Sequence, residues 1–374
     1  MRYLLPFALL LFALACTPDD DGGGTPEPTE GVDLTGLDYA PVAYDLVVPA
    51  NFPPPPADKV AAMTEAGVDL GRHLFYDTRL SSDGSMSCAS CHQQSLAFTD
   101  GRATSTGVQG ENGKRSSMML INLIYENNGV LWDGAEPTLA AQSLRPVEDP
   151  VEFFESWDNV EAKLRAEPRY HEKFRAAFGI GNSTEIDRTL VTQALEQFLH
   201  SIVSGGDSRF DKRTIGGQGV FFTDEEAAGF DLFFSGENNA AIKDAQCFHC
   251  HGGALFTTHE YFNNGLEEAQ TLTEFTDKGR GLVTNSTGDN GKFRAPSLRN
   301  IALTAPYMHD GRLATLEDVV RHYNSDVQYA PNLDPNLQQP LGLTDDEVGY
   351  LVAFLNTLTD ESVLTDERYG DPWE

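Results

Sequence analysis

The apolar positions of this chain fall into two similar pairs of helix-like segments. Leu190 to Ile202 and Val348 to Leu358 each repeat apolar residues at the spacing of an amphipathic helix. Well upstream of each lies a short segment ending in Leu-Phe-aromatic, at residues 71–76 (GRHLFY) and residues 229–234 (GFDLFF). Connections rich in Gly, Asn and Asp, such as residues 99–114, are typical of loops. The pattern therefore predicts a mainly α chain made of two related halves.

The first residues have the pattern of an export signal. Arg2 precedes an apolar run from Tyr3 to Ala15, which is too short to span a bilayer and has the length of a signal-peptide core. The run ends in Ala-Leu-Ala-Cys16, which is similar to a bacterial lipobox, in which Cys16 would be acylated. The alternative is an ordinary secretory signal cleaved nearby, and both alternatives export the chain. We expect a lipoprotein-type signal at residues 1–16 and a periplasmic or outer-membrane/cell-surface location through a lipid anchor.

Residues 17–58 differ sharply in composition from the rest. They contain nine acids, nine prolines and no Lys or Arg, so we expect a disordered acidic, Pro-rich tether. The whole chain has 57 Asp+Glu against 26 Lys+Arg, a formal charge of −31. This charge excludes a nucleic-acid binder that works by neutralising phosphates. The acidity outside the tether is compatible with a basic redox partner steered in at low salt.

The remaining four cysteines lie in two copies of one motif, Cys88-Ala89-Ser90-Cys91-His92 and Cys247-Phe248-His249-Cys250-His251. This C-x-x-C-H pattern is typical of c-type haem attachment, with the histidine as proximal iron ligand. A Cys₄ zinc site is the alternative, but it does not require a histidine after each pair. A disulfide or thioredoxin-like interpretation fails for the same reason. We predict two covalent haem c groups in tandem cytochrome c-like domains at residues 59–205 and 206–360, followed by a tail at 361–374.

Outside these motifs, roughly residues 65–360 resemble the bacterial dihaem cytochrome c peroxidase family, including its MauG branch. The resemblance is carried by residues 71–81 (GRHLFYDTRLS), 131–134 (LWDG), 146–152 (PVEDPVE) and 293–311 (FRAPSLRNIALTAPYMHDG). It implies that residues 59–205 form the peroxidatic haem domain and residues 206–360 the electron-transfer haem domain.

The resemblance also implies a pocket beside the first haem. Val108 occupies the position at which other family members carry a histidine that can bind the first iron, and no histidine occurs between His92 and His171. The first iron is then five-coordinate or water-bound, unless His171 or another distant histidine binds it. Gln142 and Glu152 match the family's distal acid/base groups, and a carboxylate there can shuttle a proton between peroxide oxygens. Ala135 replaces a family arginine.

Around the second haem, the family's axial methionine has no counterpart, because no methionine follows Met308. The matching position is Tyr323, and a tyrosinate ligand stabilises high oxidation states of iron. His322 is the rival ligand. Trp132 matches the tryptophan that lies between the two haems.

Three residues match the family's calcium site. Thr304 and Pro306 match residues whose carbonyls help to bind an inter-domain Ca²⁺, and Ser116 stands where the family has asparagine. We therefore expect two haem c groups and consider one Ca²⁺ a further expectation.

These observations predict an exported dihaem c-type peroxidase that reduces H₂O₂ with electrons from a small cytochrome or cupredoxin. One alternative is MauG-like, H₂O₂-dependent oxidation of aromatic residues in a partner protein. The other is a non-enzymatic dihaem electron-transfer lipoprotein, which would hold both irons six-coordinate. We expect no nucleic acid, membrane contact only through the lipid anchor, and a homodimer as a further expectation.

Overall fold

A computed structural model describes residues 31–215, 219–234 and 243–373, so the predicted signal and Cys16 lie outside the described residues. The prediction of a mainly α fold is confirmed. The α-helices are α1 (Ala57–Ala61), α2 (Glu65–Tyr76), α3 (Cys88–Cys91), α4 (Leu139–Ser143), α5 (Arg145–Glu148), α6 (Trp157–Ala166), α7 (Pro168–Phe178), α8 (Arg188–Ser201), α9 (Arg209–Ile215), α10 (Asp224–Phe234), α11 (Arg280–Thr284), α12 (Leu316–Arg321) and α13 (Asp345–Asn356). Strands β1 (Tyr261–Phe262) and β2 (Phe293–Arg294) pair antiparallel.

Short 3₁₀ turns and one π-helical turn connect these elements. The 3₁₀ turns cover Thr78–Leu80, Gln94–Leu96, Leu123–Tyr125, Ser183–Glu185, Cys247–His249, Thr287–Asp289, Ile301–Leu303, Pro335–Leu337 and Glu361–Leu364. The π-helical turn is His322–Asp326, directly after α12. Single π turns of this kind occur frequently at functional sites, because they rotate side chains out of the helical register.

Helices α2 and α8 cross closely in the first half. The Thr64 side chain caps α2 by accepting a hydrogen bond from the Gly67 amide, and Asp187 caps α8 in the same way through Leu190. At the crossing, a Cβ on Gly71 would lie 2.0 Å from the carbonyl oxygen of Ala194. Only glycine therefore permits this approach.

Helices α10 and α13 repeat this arrangement in the second half. Thr344 and Glu347 form a reciprocal capping box at the start of α13. A Cβ on Gly229 of α10 would lie 1.9 Å from the carbonyl oxygen of Tyr350. Because Gly71 and Gly229 hold equivalent positions in the two segments that end in Leu-Phe-aromatic, the internal repeat seen in the sequence is also a repeat of packing.

Each half has a hydrophobic cluster of its own. The first cluster includes Phe75, Phe98 and Phe198 and has Cys88 packed against it. In the second, the ring of Phe354 meets several other phenylalanine rings, with centroids 5.2 to 6.3 Å apart. This second cluster has Cys247 packed against it. One C-x-x-C-H motif thus borders each core.

The expectation of a disordered tether is wrong for its described part, residues 31–58. Leu34 is buried, and its amide donates to the Gly181 carbonyl at 2.9 Å. Phe52 is buried beneath the guanidinium of Arg299, whose central carbon lies 4.3 Å from the ring centroid. The burial of these apolar residues could not be predicted from composition, because an irregular segment can bury a few side chains without periodic patterning.

The C-terminal tail packs on the first half. Val363 and Tyr369 belong to the first hydrophobic cluster, and the Tyr369 hydroxyl donates to the Ser201 carbonyl at 3.0 Å. Gln94, directly after the first haem motif, donates through its amide to the carbonyls of Val363 and Asp366, both at 2.9 Å. Residues 361–373 therefore complete the core of the first half.

No helix within residues 31–215, 219–234 and 243–373 is long and apolar enough to cross a membrane.

Candidate active site

The first C-x-x-C-H motif is held by hydrogen bonds that orient its histidine. Cys88 to Cys91 form helix α3, which Ser87 and Ser90 cap reciprocally. Nδ1 of His92 lies 2.9 Å from the Phe98 carbonyl, so this nitrogen donates and Nε2 is left with a lone pair. The Ser117 hydroxyl donates to the Cys91 carbonyl at 2.7 Å and lies 3.1 Å from the same Nδ1. The arrangement suits a histidine that binds a metal through Nε2.

The second motif repeats this geometry. Nδ1 of His251 lies 3.0 Å from the Pro296 carbonyl and 3.3 Å from the Phe256 carbonyl. A carbonyl can only accept, so Nδ1 again carries the proton. Phe98 and Phe256, which supply the equivalent carbonyls, both adopt a positive φ, 60° and 53°.

The cysteines of the two motifs are compatible with haem attachment. All four are free of disulfides. Burial raises the pKa of Cys88, Cys247 and Cys250 to about 12. No group of three His, Cys, Asp or Glu side chains within the described ranges could hold a metal ion. Two free cysteines directly before an oriented histidine are what each thioether-linked haem needs.

Val108 and Glu152 lie together beside the first motif. The Val108 amide donates to the Glu152 carbonyl at 2.9 Å. The preceding Gly107 sits so close to this segment that its Cβ would lie 2.0 Å from the Val151 carbonyl oxygen. The residue at the family's histidine position is thus fixed next to the predicted proton-transfer group.

Burial raises the pKa of Glu152 to about 7, with the nearby Asp149 carboxylate adding to the rise and Arg145 opposing it. Glu152 nevertheless has part of its surface exposed to solvent, so the burial is that of its carboxyl group among the neighbouring residues and not of the whole residue. Burial is also the main cause of the raised pKa values of Cys88 and Cys91, to which the charge of Glu152 contributes. Glu152 is therefore close to both cysteines and changes protonation near neutral pH, as a proton-transfer group should.

His171 and Gln142 are the two other residues that the sequence suggested for this pocket. Nε2 of His171, in α7, lies 2.7 Å from the Arg165 carbonyl, so this nitrogen is engaged by the backbone of α6. This contact disfavours His171 as a ligand of the first iron. Gln142 is half-buried in α4, and its role as a distal group stays a prediction.

Tyr323 lies in the π-helical turn and faces the second motif. Burial raises its pKa to about 12, and the charges of Cys250 and Cys247 contribute to the rise. Its neighbour His322 is buried with Nε2 3.0 Å from the Asn264 carbonyl. Of the two rival ligands, the structure therefore places Tyr323 toward the second motif and engages one ring nitrogen of His322 elsewhere.

Asn264 and Met308 are part of this second site, and the sequence did not single them out as site residues. Nδ2 of Asn264 lies 3.3 Å from the Tyr323 hydroxyl oxygen and 3.4 Å from the Met308 sulfur. No pattern in the sequence could have found Asn264, because it lies in a loop after β1 and far from Tyr323 along the chain.

Trp132 and Ser116 lie at the seam between the halves. The Trp132 indole donates to the Ser116 carbonyl at 2.9 Å, and the Trp132 carbonyl accepts from the Arg294 amide at 2.8 Å. The Ser116 hydroxyl donates to the Met308 carbonyl at 3.0 Å, and its amide donates to the His309 carbonyl at 2.8 Å. Ser116 is thus fixed to the segment that follows Thr304 and Pro306, while a calcium ion there stays a prediction.

Charged groups also join the two halves near Trp132. Arg115 contacts Asp133 at 2.6 Å and Asp277 of the second half at 2.7 Å. Arg294 pairs with Glu126 of the first half and is only 3 % exposed. Partly buried, hydrogen-bonded ion pairs of this kind fix the register of two packed surfaces. Trp132 is held in a rigid interface.

Two similar halves, each with an oriented C-x-x-C-H histidine, and the pocket at Glu152 are the features of a dihaem c-type peroxidase. Comparison with known proteins leads to the same class. A family model described as di-haem cytochrome c peroxidase matches residues 65–218. The chain belongs to this family, whose members act as oxidoreductases on H₂O₂.

Among named relatives, the chain is similar to the methylamine utilization protein MauG of Methylorubrum extorquens. They are 34% identical over 89% of this chain and 88% of that protein. The cytochrome c551 peroxidase of Nitrosomonas europaea is also 34% identical, over 84% of this chain and 86% of its own.

Among solved structures, a MauG-like protein associated with microbial copper homeostasis is similar, with 35% identity and a TM-score of 0.76. The match covers 89% of this chain and all of that one.

Proposed function

We propose that this protein reduces H₂O₂ at the pocket between Glu152, Val108 and the first C-x-x-C-H motif, using electrons from a small external redox protein. The observation that carries the proposal is the position of Glu152. Its pKa is about 7, it lies near Cys88 and Cys91, and its backbone holds Val108 where a competing histidine would stand. The two cysteine pairs, with His92 and His251, would hold two haem c groups, and these groups when bound would supply the electrons that break the O–O bond.

The role of Glu152 follows from its protonation. Near neutral pH a substantial fraction of its carboxyl group is ionised, so it can take a proton from one oxygen of H₂O₂ and give it to the other. The second oxygen then leaves as water instead of as the less stable hydroxide. Gln142 would assist by hydrogen bonding to the peroxide. Val108 has no lone pair and leaves the space beside Glu152 to the substrate.

Electrons would reach this pocket through the second half. We infer that residues 59–205 and 206–360 each hold one haem and that Trp132, fixed at the seam, relays electrons between them. Tyr323 and His251 would together hold the second iron. The acidic surface suits a basic donor such as a small cytochrome.

The test uses the purified dihaem protein in its ferric form. We expect an absorption spectrum with a high-spin component that changes on addition of H₂O₂, and oxidation of two reduced cytochromes for each H₂O₂ consumed. Two low-spin haems that do not react with peroxide would contradict the proposal and favour the simple electron carrier.

A second candidate function is H₂O₂-dependent oxidation of an aromatic residue in a partner protein. Tyr323 in place of methionine, Val108 in place of histidine and the similarity to MauG favour it. The assay is H₂O₂ consumption in the presence of reduced cytochrome or of Trp- and Tyr-containing peptides, followed by mass spectrometry of the peptides. Cytochrome oxidation without peptide modification supports the peroxidase; the reverse result supports the MauG-like activity.

Three expectations accompany the proposal. We infer export with acylation of Cys16, which radiolabelled palmitate should report in the wild type and not in Cys16→Ala. A calcium ion bound through Thr304, Pro306 and Ser116 should be removed by chelator with a change in the haem spectra. A homodimer should be seen as a doubled mass in light scattering.

A further inference from the structure

Asn264 is placed to act on the second haem site through its side-chain amide. The residue follows β1 in a half-buried loop. Its backbone carbonyl lies 3.0 Å from Nε2 of His322, and its amide nitrogen contacts both Tyr323 and Met308. Asn264 therefore contacts both rival ligands of the second iron, Tyr323 and His322, and also Met308.

The backbone around Asn264 is rigid. The next residue, Gly265, has a positive φ of 66°, and a Cβ there would lie 2.4 Å from a methyl carbon of Val327. Its carbonyl accepts from the Gln328 amide at 2.8 Å. The loop is thus packed against the residues that directly follow the π-helical turn, and the Asn264 amide has a fixed position relative to Tyr323.

Met308 determines which way the amide points. A thioether sulfur can only accept a hydrogen bond, so the group that lies 3.4 Å from it must be the NH₂ and not the carbonyl. The second N–H of the same NH₂ is then directed at the Tyr323 oxygen, 3.3 Å away. Tyr323 Oη therefore accepts a hydrogen bond from the Asn264 amide. A hydrogen bond donated to the oxygen favours its anionic form.

We propose that Asn264 is a positioning residue that directs Tyr323 toward the second iron as a phenolate ligand and tunes the reduction potential of that haem. The inference rests on the proposed function only in taking Tyr323 as the ligand. A hydrogen bond donated to an anionic ligand draws charge from it, and such charge-assisted bonds are stronger than neutral ones. A phenolate stabilises ferric iron, so donation from Asn264 raises the potential above that of an unassisted tyrosinate.

The experiment is a spectroelectrochemical titration of the dihaem protein with Asn264→Leu and the isosteric Asn264→Asp. Neither variant can donate as the amide does, so the equilibrium constant for reduction of the second haem should fall about tenfold, which is 59 mV for one electron. Met308→Leu removes the group that orients the amide and should give a smaller shift in the same direction. Asn264→Asp keeps the side-chain shape if the Leu variant fails to fold.

The matched control is Thr258→Val, which removes a hydroxyl that donates to the Cys250 carbonyl at 3.1 Å without touching Tyr323. Its second-haem potential should equal that of the wild type. Unchanged or raised potentials in both Asn264 variants would overturn the proposal. An unchanged second-haem spectrum in Tyr323→Phe would overturn it as well, while leaving peroxide reduction at the first haem intact. Loss of peroxide reduction in the wild type would instead refute the proposed function, since the potential is measured without peroxide.

Discussion

Replacing Glu152 by Gln tests the reasoning about the first pocket most directly. The substitution keeps the size of the side chain and its ability to hydrogen bond, but it removes the carboxyl group that can take up and release a proton. If Glu152 moves a proton during O–O cleavage, the loss should slow the reaction of the ferric protein with H₂O₂ by about 10²- to 10⁴-fold, the usual contribution of a positioned acid/base group.

The pH dependence follows from the pKa of about 7. Burial disfavours the ionised form, so the fraction of Glu152 that can act as a base grows as pH rises through that value. About one-tenth is ionised at pH 6 and about nine-tenths at pH 8, which predicts a roughly tenfold rise in the wild-type rate over this range. Glu152→Gln should be slow and nearly independent of pH.

The assay is stopped-flow absorption of the ferric dihaem protein mixed with excess H₂O₂ at several pH values. Glu148→Gln is the matched control, because it removes the same charge from an exposed position four residues away in α5. It should leave both rate and pH profile unchanged. A Glu152→Gln protein that reacts at the wild-type rate, or that keeps the wild-type pH profile, would refute the assignment of Glu152 as the proton-transfer group.

Three other predictions follow from single contacts. Val108→His should bind the first iron, giving a low-spin ferric spectrum and a slow peroxide reaction until the protein is reduced; an unchanged spectrum would mean that position 108 does not face this haem. Gly71→Ala would place a methyl group 2.0 Å from the Ala194 carbonyl oxygen and should lower the free energy of unfolding, measured by urea titration, by about 1–3 kcal/mol or more. Gly349→Ala is the control: the space around Gly349 is open, so this substitution should be neutral or stabilising by about 0.5–1 kcal/mol. Tyr369→Ala should cost about 3–5 kcal/mol because this 2 % exposed ring lies in the first core, and wild-type stability would show that the tail is dispensable.

The sequence was sufficient for those features that depend on local spacing. Helical periodicity predicted the closing helices of both halves, and the observed helices α8 and α13 begin two to three residues earlier than predicted and end one to two residues earlier. The early starts arise because Asp187 and Thr344 cap the helices ahead of the first apolar residue. The two C-x-x-C-H motifs likewise predicted His92 and His251 as iron ligands. Their Nδ1 contacts with the Phe98 and Pro296 carbonyls leave Nε2 of each ring with a lone pair, which supports that prediction.

Long-range contacts account for what the sequence could not predict. Leu34 and Tyr369 lie in segments whose composition indicates a tether and a tail, yet both are buried in the first half. Burial of an isolated apolar residue depends on the surface it meets, and that surface is set by residues more than 100 positions away, such as Gly181 and Ser201.

The same limit applies to the second iron site, and there it has a functional consequence. Tyr323 could be found by its position relative to a family motif, but the acceptor role of its oxygen is set by Asn264, whose orientation is set in turn by Met308. In this chain the Met308 sulfur accepts from the Asn264 amide, and on our proposal it fixes the amide that acts on Tyr323. A residue type that defines the ligand in one relative can thus serve as a support for a different ligand in another, and only the three-dimensional contacts distinguish the two roles.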